Sequence, residues 1–85
     1  MNDYHLLIAG DVVDILLSLP KKERELLRSH IARIAANPSL HRTYLVKDDV
    51  GRDLDVHVAG RNAIVYWLDH ADRQVKIIDL LPVDS

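Results

Sequence analysis

The sequence contains no cysteine among its 85 residues, and this absence excludes several kinds of chemistry. Disulfide bridges, thiolate zinc sites and cysteine nucleophiles all need a thiol. Long apolar runs are missing too, since the longest extends only from Ala63 to Leu68. A membrane-spanning helix needs about 18–20 apolar residues, so we expect no membrane segment. The N-terminus has no basic stretch followed by an apolar one, which predicts a cytoplasmic protein without a signal peptide.

A surplus of basic residues is also absent. Eleven lysines and arginines stand against thirteen aspartates and glutamates, which gives a formal net charge of −2. A strongly basic balance would indicate nucleic-acid binding, and this chain does not have one. Hydrophobic residues make up 48% of the chain and charged residues 28%, a composition typical of a folded protein. The length suits a single domain, which we place over residues 1–85.

Apolar patterns divide the N-terminal half into a strand and two helices. Alternate apolar side chains over residues 2–8 predict a short strand. Apolar residues at helical spacing predict a helix over residues 12–19, with Asp11 as its N-cap because a carboxylate accepts from free backbone N–H groups. A second, longer helix is predicted with Pro20 in its first turn, and together the two helices form a hairpin over residues 11–36. Asn37 is expected to end the second helix in a left-handed conformation.

The apolar period changes to two after residue 40, which indicates strands. Four strands are predicted, over residues 44–47, 52–58, 63–68 and 75–81. The element order is therefore β-α-α-β-β-β-β. This order predicts an α+β fold, in which one antiparallel sheet carries the N-terminal helical hairpin on one face.

Two tight turns set the register of the predicted C-terminal strands. A turn at residues 60–61 pairs Asp55 with Tyr66. The next turn brings Asp79 beside Ile64. The apolar side chains that we assign to the helix-facing side are Leu54, Val56, Val58, Ala63, Val65 and Trp67. The polar side chains that we assign to the open side are Asp53, Asp55, His57, Tyr66 and Asp79, with Arg52 and Arg61 at the turns.

The predicted open face has two interpretations. Carboxylates and a histidine on one surface can move protons, and arginines beside them can stabilise a phosphate, so this set is a candidate catalytic site. The same alternation also describes the ordinary polar face of a half-buried sheet. Trp67 is interpreted as core, although an exposed tryptophan would be a stacking platform for a base. The five histidines lack the spacing of a helical metal pair, and no Gly-rich phosphate loop is present, so we expect neither a metal nor a cofactor.

Four segments together point to a known family. They are the helical hairpin ending in Ala36-Asn37-Pro38, then Gly51-Arg52-Asp53-Leu54-Asp55-Val56, then Ile64-Val65-Tyr66-Trp67, and then Val75-Lys76-Ile77-Ile78. Their order and spacing resemble the RelE/ParE superfamily of bacterial toxins over nearly the whole chain. The resemblance implies the toxin of a type II toxin–antitoxin system, with a cognate antitoxin as the partner that blocks it.

The RelE-like branch of this family implies a specific activity. RelE-like members enter the ribosomal A site and cut mRNA without a metal, by assisting attack of the 2′-hydroxyl on its own phosphate. The resemblance therefore implies an mRNA interferase that inhibits translation. Carried to this sequence, it implies catalytic roles for Asp55, His57, Arg61 and Tyr66, and substrate binding by Arg52 and Lys47.

Two other functions stay open. ParE-like members share the fold and poison DNA gyrase without chemistry of their own. RNA-cleaving members usually carry Arg, His or Tyr after the last strand, and residues 80–85 contain none of these, which favours the ParE-like alternative. The third alternative is a non-toxic member that acts as a binding partner. The slightly acidic charge favours it, because ribosome binding must neutralise phosphates.

Overall fold

The structure is a computed structural model that describes residues 4–38 and 41–83. Its elements are β1 His5–Ile8, α1 Gly10–Ser18, α2 Lys21–Ala36, β2 Tyr44–Lys47, β3 Asp53–Ala59, β4 Asn62–Asp69 and β5 Gln74–Pro82. The predicted α+β class and the predicted element order are confirmed. Residues 2 and 3 of the first predicted strand lie outside the described residues.

The strands of the described residues form one five-stranded sheet in the order β1-β5-β4-β3-β2. The pairs β2–β3, β3–β4 and β4–β5 are antiparallel, whereas β1 runs parallel to β5. The prediction of a fully antiparallel sheet is therefore wrong for β1. Parallel strands need a long connection, and here the two helices and the other three strands all lie between β1 and β5 in the chain.

Both helices pack on one face of the sheet, as predicted. α1 contributes Val12 and Leu16 to the core, and α2 contributes Leu27, Ile31 and Ile34. The sheet side chains in the same cluster are Ala59, Ile64, Tyr66, Val75, Ile77 and Leu80. Full burial of an aliphatic side chain stabilises a fold by about 1.5–3 kcal/mol, so this layer holds the helical hairpin on the sheet.

The helix ends differ from the predictions in two details. Ala9 occupies the N-cap position of α1, and its carbonyl oxygen accepts the first free backbone N–H groups. Asp11 therefore lies in the first turn and is not the N-cap, although its charge still complements the helix dipole there. Asn37 ends α2 with a φ of −150° and is not left-handed. The reason is Pro38, because the residue before a proline is restricted to extended backbone conformations.

The register of β3 and β4 is the predicted one. Asp55 lies opposite Tyr66, and His57 lies opposite Ile64. The connecting turn has its tip at residues 60–61, where the glycine has a φ of +61° that other residues rarely adopt.

The register of β4 and β5 changes within the strands. Near the turn, Tyr66 lies opposite Ile77, as the predicted turn requires. A β-bulge beside Val65 then shifts the pairing by one residue, so Asp79 lies opposite Val65 and not opposite Ile64. The predicted position of Asp79 is wrong for this reason.

The two faces of the β3–β4 hairpin are reversed relative to the prediction. Tyr66 and Ile64 lie in the helix-facing core, so Asp55 and His57, which pair with them, lie on that side as well. Five of the six residues that we predict under the helices instead lie in a second cluster on the open side, together with Ile78 of β5. The five are Leu54, Val56, Ala63, Val65 and Trp67.

The face of the sheet that lies under the helices is determined by the side chains of β5 and not by those of β3. Val75 and Ile77 pair with Leu68 and Tyr66, and together they make the larger apolar layer under the helices. Because β5 carries Lys76 between its two apolar residues, turning the sheet over would bury a lysine beneath α1 and α2.

Candidate functional site

A cleft of about 440 Å³ opens where β3 begins and β4 ends. It is lined by Pro38, Arg42, Leu45, Arg52, Asp53, Asp55, Trp67, Leu68 and His70. The cleft draws on both faces of the sheet and combines two arginines, two aspartates, a histidine and the chain's single tryptophan. Guanidinium groups bind phosphates and an indole ring stacks on bases, so a single-stranded nucleic acid would find suitable contacts here.

Two cations lie over the ring of Trp67. The guanidinium carbon of Arg52 is 4.5 Å from a ring centroid of Trp67, and Nζ of Lys76 is 4.7 Å from one. Such a contact stabilises by about 0.5–1 kcal/mol at an exposed site. Trp67 is half-buried on the open side, so its predicted position under the helices is wrong. The alternative of a stacking platform is compatible with the observed position.

Each of these cations is held by an aspartate: Asp48 lies in the turn between β2 and β3, and Asp69 is the last residue of β4. Oδ2 of Asp48 accepts from Nε of Arg52 at 2.8 Å, and Oδ2 of Asp69 accepts from Nζ of Lys76 at 3.3 Å. Both carboxylates also accept backbone N–H groups. These N–H donors, chiefly that of Arg52 for Asp48 and that of Asp72 for Asp69, lower the pKa of each carboxyl. Both aspartates are therefore ionised at neutral pH and keep the cations in place.

Asp55 is a nearly buried carboxylate at the cleft, with 9% of its surface exposed. Its Oδ1 accepts from a guanidinium nitrogen of Arg42 at 3.4 Å, and the Arg42 side chain is half exposed. A hydrogen bond of this length is weak. The carboxylate therefore has acceptor capacity left for a donor that enters the cleft.

His57 makes a contact through each of its ring nitrogens. Its Nδ1 contacts the carbonyl oxygen of His41, and its Nε2 is 2.8 Å from Nδ1 of His30 on α2. A carbonyl oxygen only accepts, so Nδ1 of His57 carries a proton. In the neutral ring Nε2 of His57 is then the acceptor, and Nδ1 of His30 donates to it. Burial, and after it the neighbouring His57, lowers the pKa of His30. His30 is therefore neutral at pH 7.

Tyr66 is fully buried on the side of the sheet that carries Asp55 and His57. Its hydroxyl donates to the carbonyl oxygen of Pro38 at 3.4 Å. Burial, and after it the charge of Asp55, raises the pKa of Tyr66 to about 12. The phenol is therefore protonated at neutral pH, and it lies in the core below the segment that follows α2.

The structure brings together four of the six residues singled out by the sequence. Arg52 and Asp55 both line the cleft. His57 follows Asp55 on the same side of β3, and Tyr66 lies directly across from Asp55 on β4. Three of these four, however, lie under the helices and not on the open face, so the predicted open polar surface does not form.

The other predicted residues lie apart from this group. Nζ of Lys47 is 2.6 Å from Oδ1 of Asp53, and this pair is exposed at the rim of the cleft. Arg61 lies in the turn at the far end of the β3–β4 hairpin, a strand length of roughly 20 Å from Asp53. Asp79 is exposed on β5, opposite Val65.

Sequence reasoning missed three residues of this region. Arg42 and His70 lie in the connections before β2 and after β4. These connections have no apolar period from which the direction of a side chain could be predicted. His30 lies on α2, between the apolar positions Leu27 and Ile31, and its spacing alone does not say that it meets β3.

The described residues contain neither a cluster of metal ligands nor a membrane-spanning helix. Within residues 4–38 and 41–83, no group of three or more His, Cys, Asp or Glu side chains is placed to hold a metal ion. No helix in the same part of the chain is long and apolar enough to cross a membrane.

Comparison with known proteins gives matches in structure and none in sequence. No protein-family model matches the chain, and no curated protein matches it. A chain of the archaeal RelE–RelB complex from Pyrococcus horikoshii OT3 is similar with a TM-score of 0.79 and 23% identity, over 94% of both chains.

Two structures from E. coli are similar as well. The isolated RelE toxin matches with a TM-score of 0.69 and 14% identity, over 96% of this chain and 86% of the other. A chain of the intact RelBE toxin–antitoxin complex matches with a TM-score of 0.65 and 14% identity, over 96% of this chain and 99% of the other. The fold of this chain is therefore that of the RelE toxin, as the resemblance in its sequence implied.

Proposed function

We propose that this chain is the toxin of a type II toxin–antitoxin pair and that, like RelE-like toxins, it cuts mRNA in the translating ribosome. The observation that carries the proposal is the match of its fold to RelE structures along almost its whole length. A fold is compatible with many activities, so the chemistry of the site must also suit the proposal.

The cleft supports an RNA substrate. Trp67 offers an indole ring for a base, and Arg52 and Lys76 bring positive charge to the same ring. Arg42 adds a half-exposed guanidinium to the lining of the same cleft. Proteins that bind single-stranded nucleic acids combine cationic contacts to the backbone with aromatic rings on which bases stack.

We assign roles by access to the cleft. Asp55 is the proposed base, since its carboxylate lines the cleft and has an incomplete set of donors. Arg42 and Arg52 would hold the phosphate. His57 and Tyr66 would act from behind Asp55, because both lie on its helix-facing side and neither lines the cleft.

A second candidate function is inhibition of DNA gyrase by binding alone. The observation that favours it is the burial of the predicted acid–base set. Asp55, His57 and Tyr66 lie on the helix-facing side of the sheet, and the open side carries the apolar cluster of Leu54, Val56, Ala63 and Val65. A toxin that binds its target without chemistry would not need such groups on its surface.

The proposed partner is an antitoxin that folds on this chain. Two of the matched structures are complexes of RelE with RelB, and on this chain Leu17, Leu26 and Leu45 are large exposed apolar side chains. An amphipathic segment that orders on binding would cover such residues. We expect the protein to be purified in higher yield with the product of an adjacent small gene than alone.

The test is induction of the chain alone in a bacterial host, with labelled amino acid and thymidine followed over the first minutes. An early stop of protein synthesis is the result expected for mRNA cleavage. An early fall of DNA synthesis with continuing translation would replace this proposal with the gyrase alternative. Unchanged synthesis of both would leave the third alternative, a member of the fold that has no toxicity.

A variant series makes the same test specific to the cleft. Asp55→Asn and Arg52→Gln should abolish or strongly weaken the arrest of translation. Arg28→Gln is the matched control, because Arg28 is an exposed cation on the outer side of α2. Full arrest by both cleft variants, with all proteins folded and equally abundant, would overturn the role that we give to the cleft.

A further inference from the structure

The imidazole rings of His30 on α2 and His57 on β3 contact each other. Nδ1 of His30 and Nε2 of His57 are 2.8 Å apart, and the two ring centroids are 4.9 Å apart. This polar contact lies beside the apolar packing of Leu27, Ile31 and Ile34. We infer that His30 and His57 form a proton-operated latch, which holds α2 on β3 at neutral pH and releases it when both rings are protonated. The inference does not depend on the proposed toxin activity.

The hydrogen-bond donors fix how many protons the latch can hold. Nδ1 of His57 faces the carbonyl oxygen of His41 and must carry a proton, so in the neutral ring the lone pair of His57 is at Nε2. Nδ1 of His30 donates to that lone pair, which leaves Nε2 of His30 as the remaining free acceptor. A first added proton can go to Nε2 of His30 without breaking the bond. A second proton must go to Nε2 of His57, where it meets the N–H of His30 and turns the bond into a contact between two cations.

The surroundings oppose double protonation. Arg33 lies one turn after His30 on α2, and the ring centroid of His41 is 6.1 Å from that of His57. Arg33 and His41 both disfavour added positive charge on His30. Asp55 shares the side of β3 with His57, but its carboxylate is paired with Arg42. Tyr66 contributes a neutral phenol from β4. The pKa of His30 is lowered in accordance with this environment.

The latch predicts a sign and a range for the effect of pH. The closed folded state excludes the second proton, whereas the unfolded chain binds it below about pH 6.5, the ordinary pKa of histidine. The unfolded state then holds more protons, so stability falls as pH falls. One excluded proton corresponds to a rise of up to about tenfold in the unfolding equilibrium constant per pH unit below that value.

The test compares urea unfolding of the full chain at pH 7.5, 6.5 and 5.5, with EDTA in every buffer. In His30→Gln the amide nitrogen can donate to a neutral His57 and the amide oxygen can accept from a protonated one, so the contact survives without a second cation. We expect this variant to lose most of the acid sensitivity of the parent, about tenfold in the unfolding constant between pH 6.5 and 5.5. His5→Gln is the matched control, since His5 is exposed on the opposite edge of the sheet. Equal pH dependence in the parent and His30→Gln would overturn the latch.

A second measurement does not require a folded variant. Nitrogen chemical shifts of the imidazoles in the parent protein report which nitrogen carries the proton, and we expect the Nδ1–H form for His57 at pH 7.5. Amide exchange, corrected for the intrinsic effect of pH, should show α2 losing protection between pH 7.5 and 5.5 before β4 does. An Nε2–H form of His57, or equal loss of protection in α2 and β4, would contradict the latch.

Discussion

Asp48 and Arg52 are joined twice, because one carboxylate accepts the backbone N–H of Arg52 at Oδ1 and the side-chain Nε at Oδ2, both at 2.8 Å. The first bond closes the turn between β2 and β3. The second bond aims the guanidinium at Trp67. The shape of a turn and the position of a candidate ligand-binding cation thus depend on the same side chain.

Asp48→Ala should therefore release Arg52 from Trp67. Without the carboxylate the Nε donor has no fixed acceptor, and we expect the indole to become more accessible. Quenching of tryptophan fluorescence by iodide measures this directly, since the chain contains a single tryptophan. Asp49→Ala is the matched control from the same turn. Equal quenching in the two variants would contradict the link between the turn and the ring.

Acid should weaken this turn in a defined direction. The backbone N–H of Arg52 is the largest cause that lowers the pKa of Asp48 below its ordinary value of 3.8. A lowered pKa stabilises the fold above the unfolded pKa, and the contribution is lost as pH falls through the folded value. Asp48→Asn removes that titration. We expect its urea midpoint to depend less on pH than that of the parent below about pH 4.

Alkaline unfolding should depend on Tyr66. Its pKa is raised from 10.0 to about 12, so the folded state keeps a proton that the unfolded chain loses. A raised pKa in an acid of this kind means that stability is lost as pH rises from 10 to 12, by roughly 2–3 kcal/mol. Tyr66→Phe should lower stability at pH 7 by about 0.5–1.5 kcal/mol and flatten the alkaline loss. An alkaline slope unchanged by this substitution would show that Tyr66 titrates normally in the folded protein.

Two glycines allow backbone strain to be separated from crowding. Gly51 has a φ of +83° and Gly60 a φ of +61°, and both are unfavourable for alanine by about 1–2 kcal/mol. A Cβ on Gly51 meets no atom within 4 Å, whereas one on Gly60 would be 3.2 Å from Cδ2 of Leu26. Leu26 is exposed and can turn away, so we expect Gly60→Ala and Gly51→Ala to cost about the same. A much larger loss of thermal stability for Gly60→Ala would show that Leu26 is held in place.

Binding of single-stranded RNA should depend on the two cations at Trp67. If Arg52 and Lys76 each contact a phosphate, Arg52→Gln or Lys76→Gln should reduce the salt slope of log K by about 0.7. Arg28→Gln should leave the slope unchanged. The measurement is fluorescence anisotropy of a labelled oligonucleotide at several salt concentrations. Identical salt slopes for the three variants would contradict the role in RNA binding that we give to Arg52 and Lys76 beside Trp67.

The register of the central hairpin could be read from the sequence, and its orientation could not. The turn at Gly60 determines that Asp55 meets Tyr66, because a two-residue connection leaves one pairing. To predict which face of the hairpin lies under the helices, one needs a strand with one polar side and one apolar side. β4 has apolar residues on both sides, with Ile64 next to Val65, so it carries no preference. The alternation of β3 favours Leu54 and Val56 under the helices, whereas the alternation of β5 favours Val75 and Ile77 there. The observed orientation is the one that β5 favours, because it buries the larger apolar layer.

The histidine pair illustrates a second kind of limit. His30 and His57 belong to a helix and a strand that meet only through tertiary packing. A period identifies the apolar side of α2, yet it does not specify which strand lies below each turn. The bulge beside Val65 is similar, because an extra residue inside a strand leaves no mark in a short apolar run.

The parallel pairing of β1 with β5 determines when the fold can be completed during synthesis. His5 leaves the ribosome well before its partner Gln74, because both helices and the strands β2, β3 and β4 lie between them in the chain. The edge of β5 that pairs with β1 therefore cannot form until β5 has been made, and closing it must overcome the entropy of a very long loop. A nascent chain of this protein cannot hold its finished shape while its last strand is still being translated.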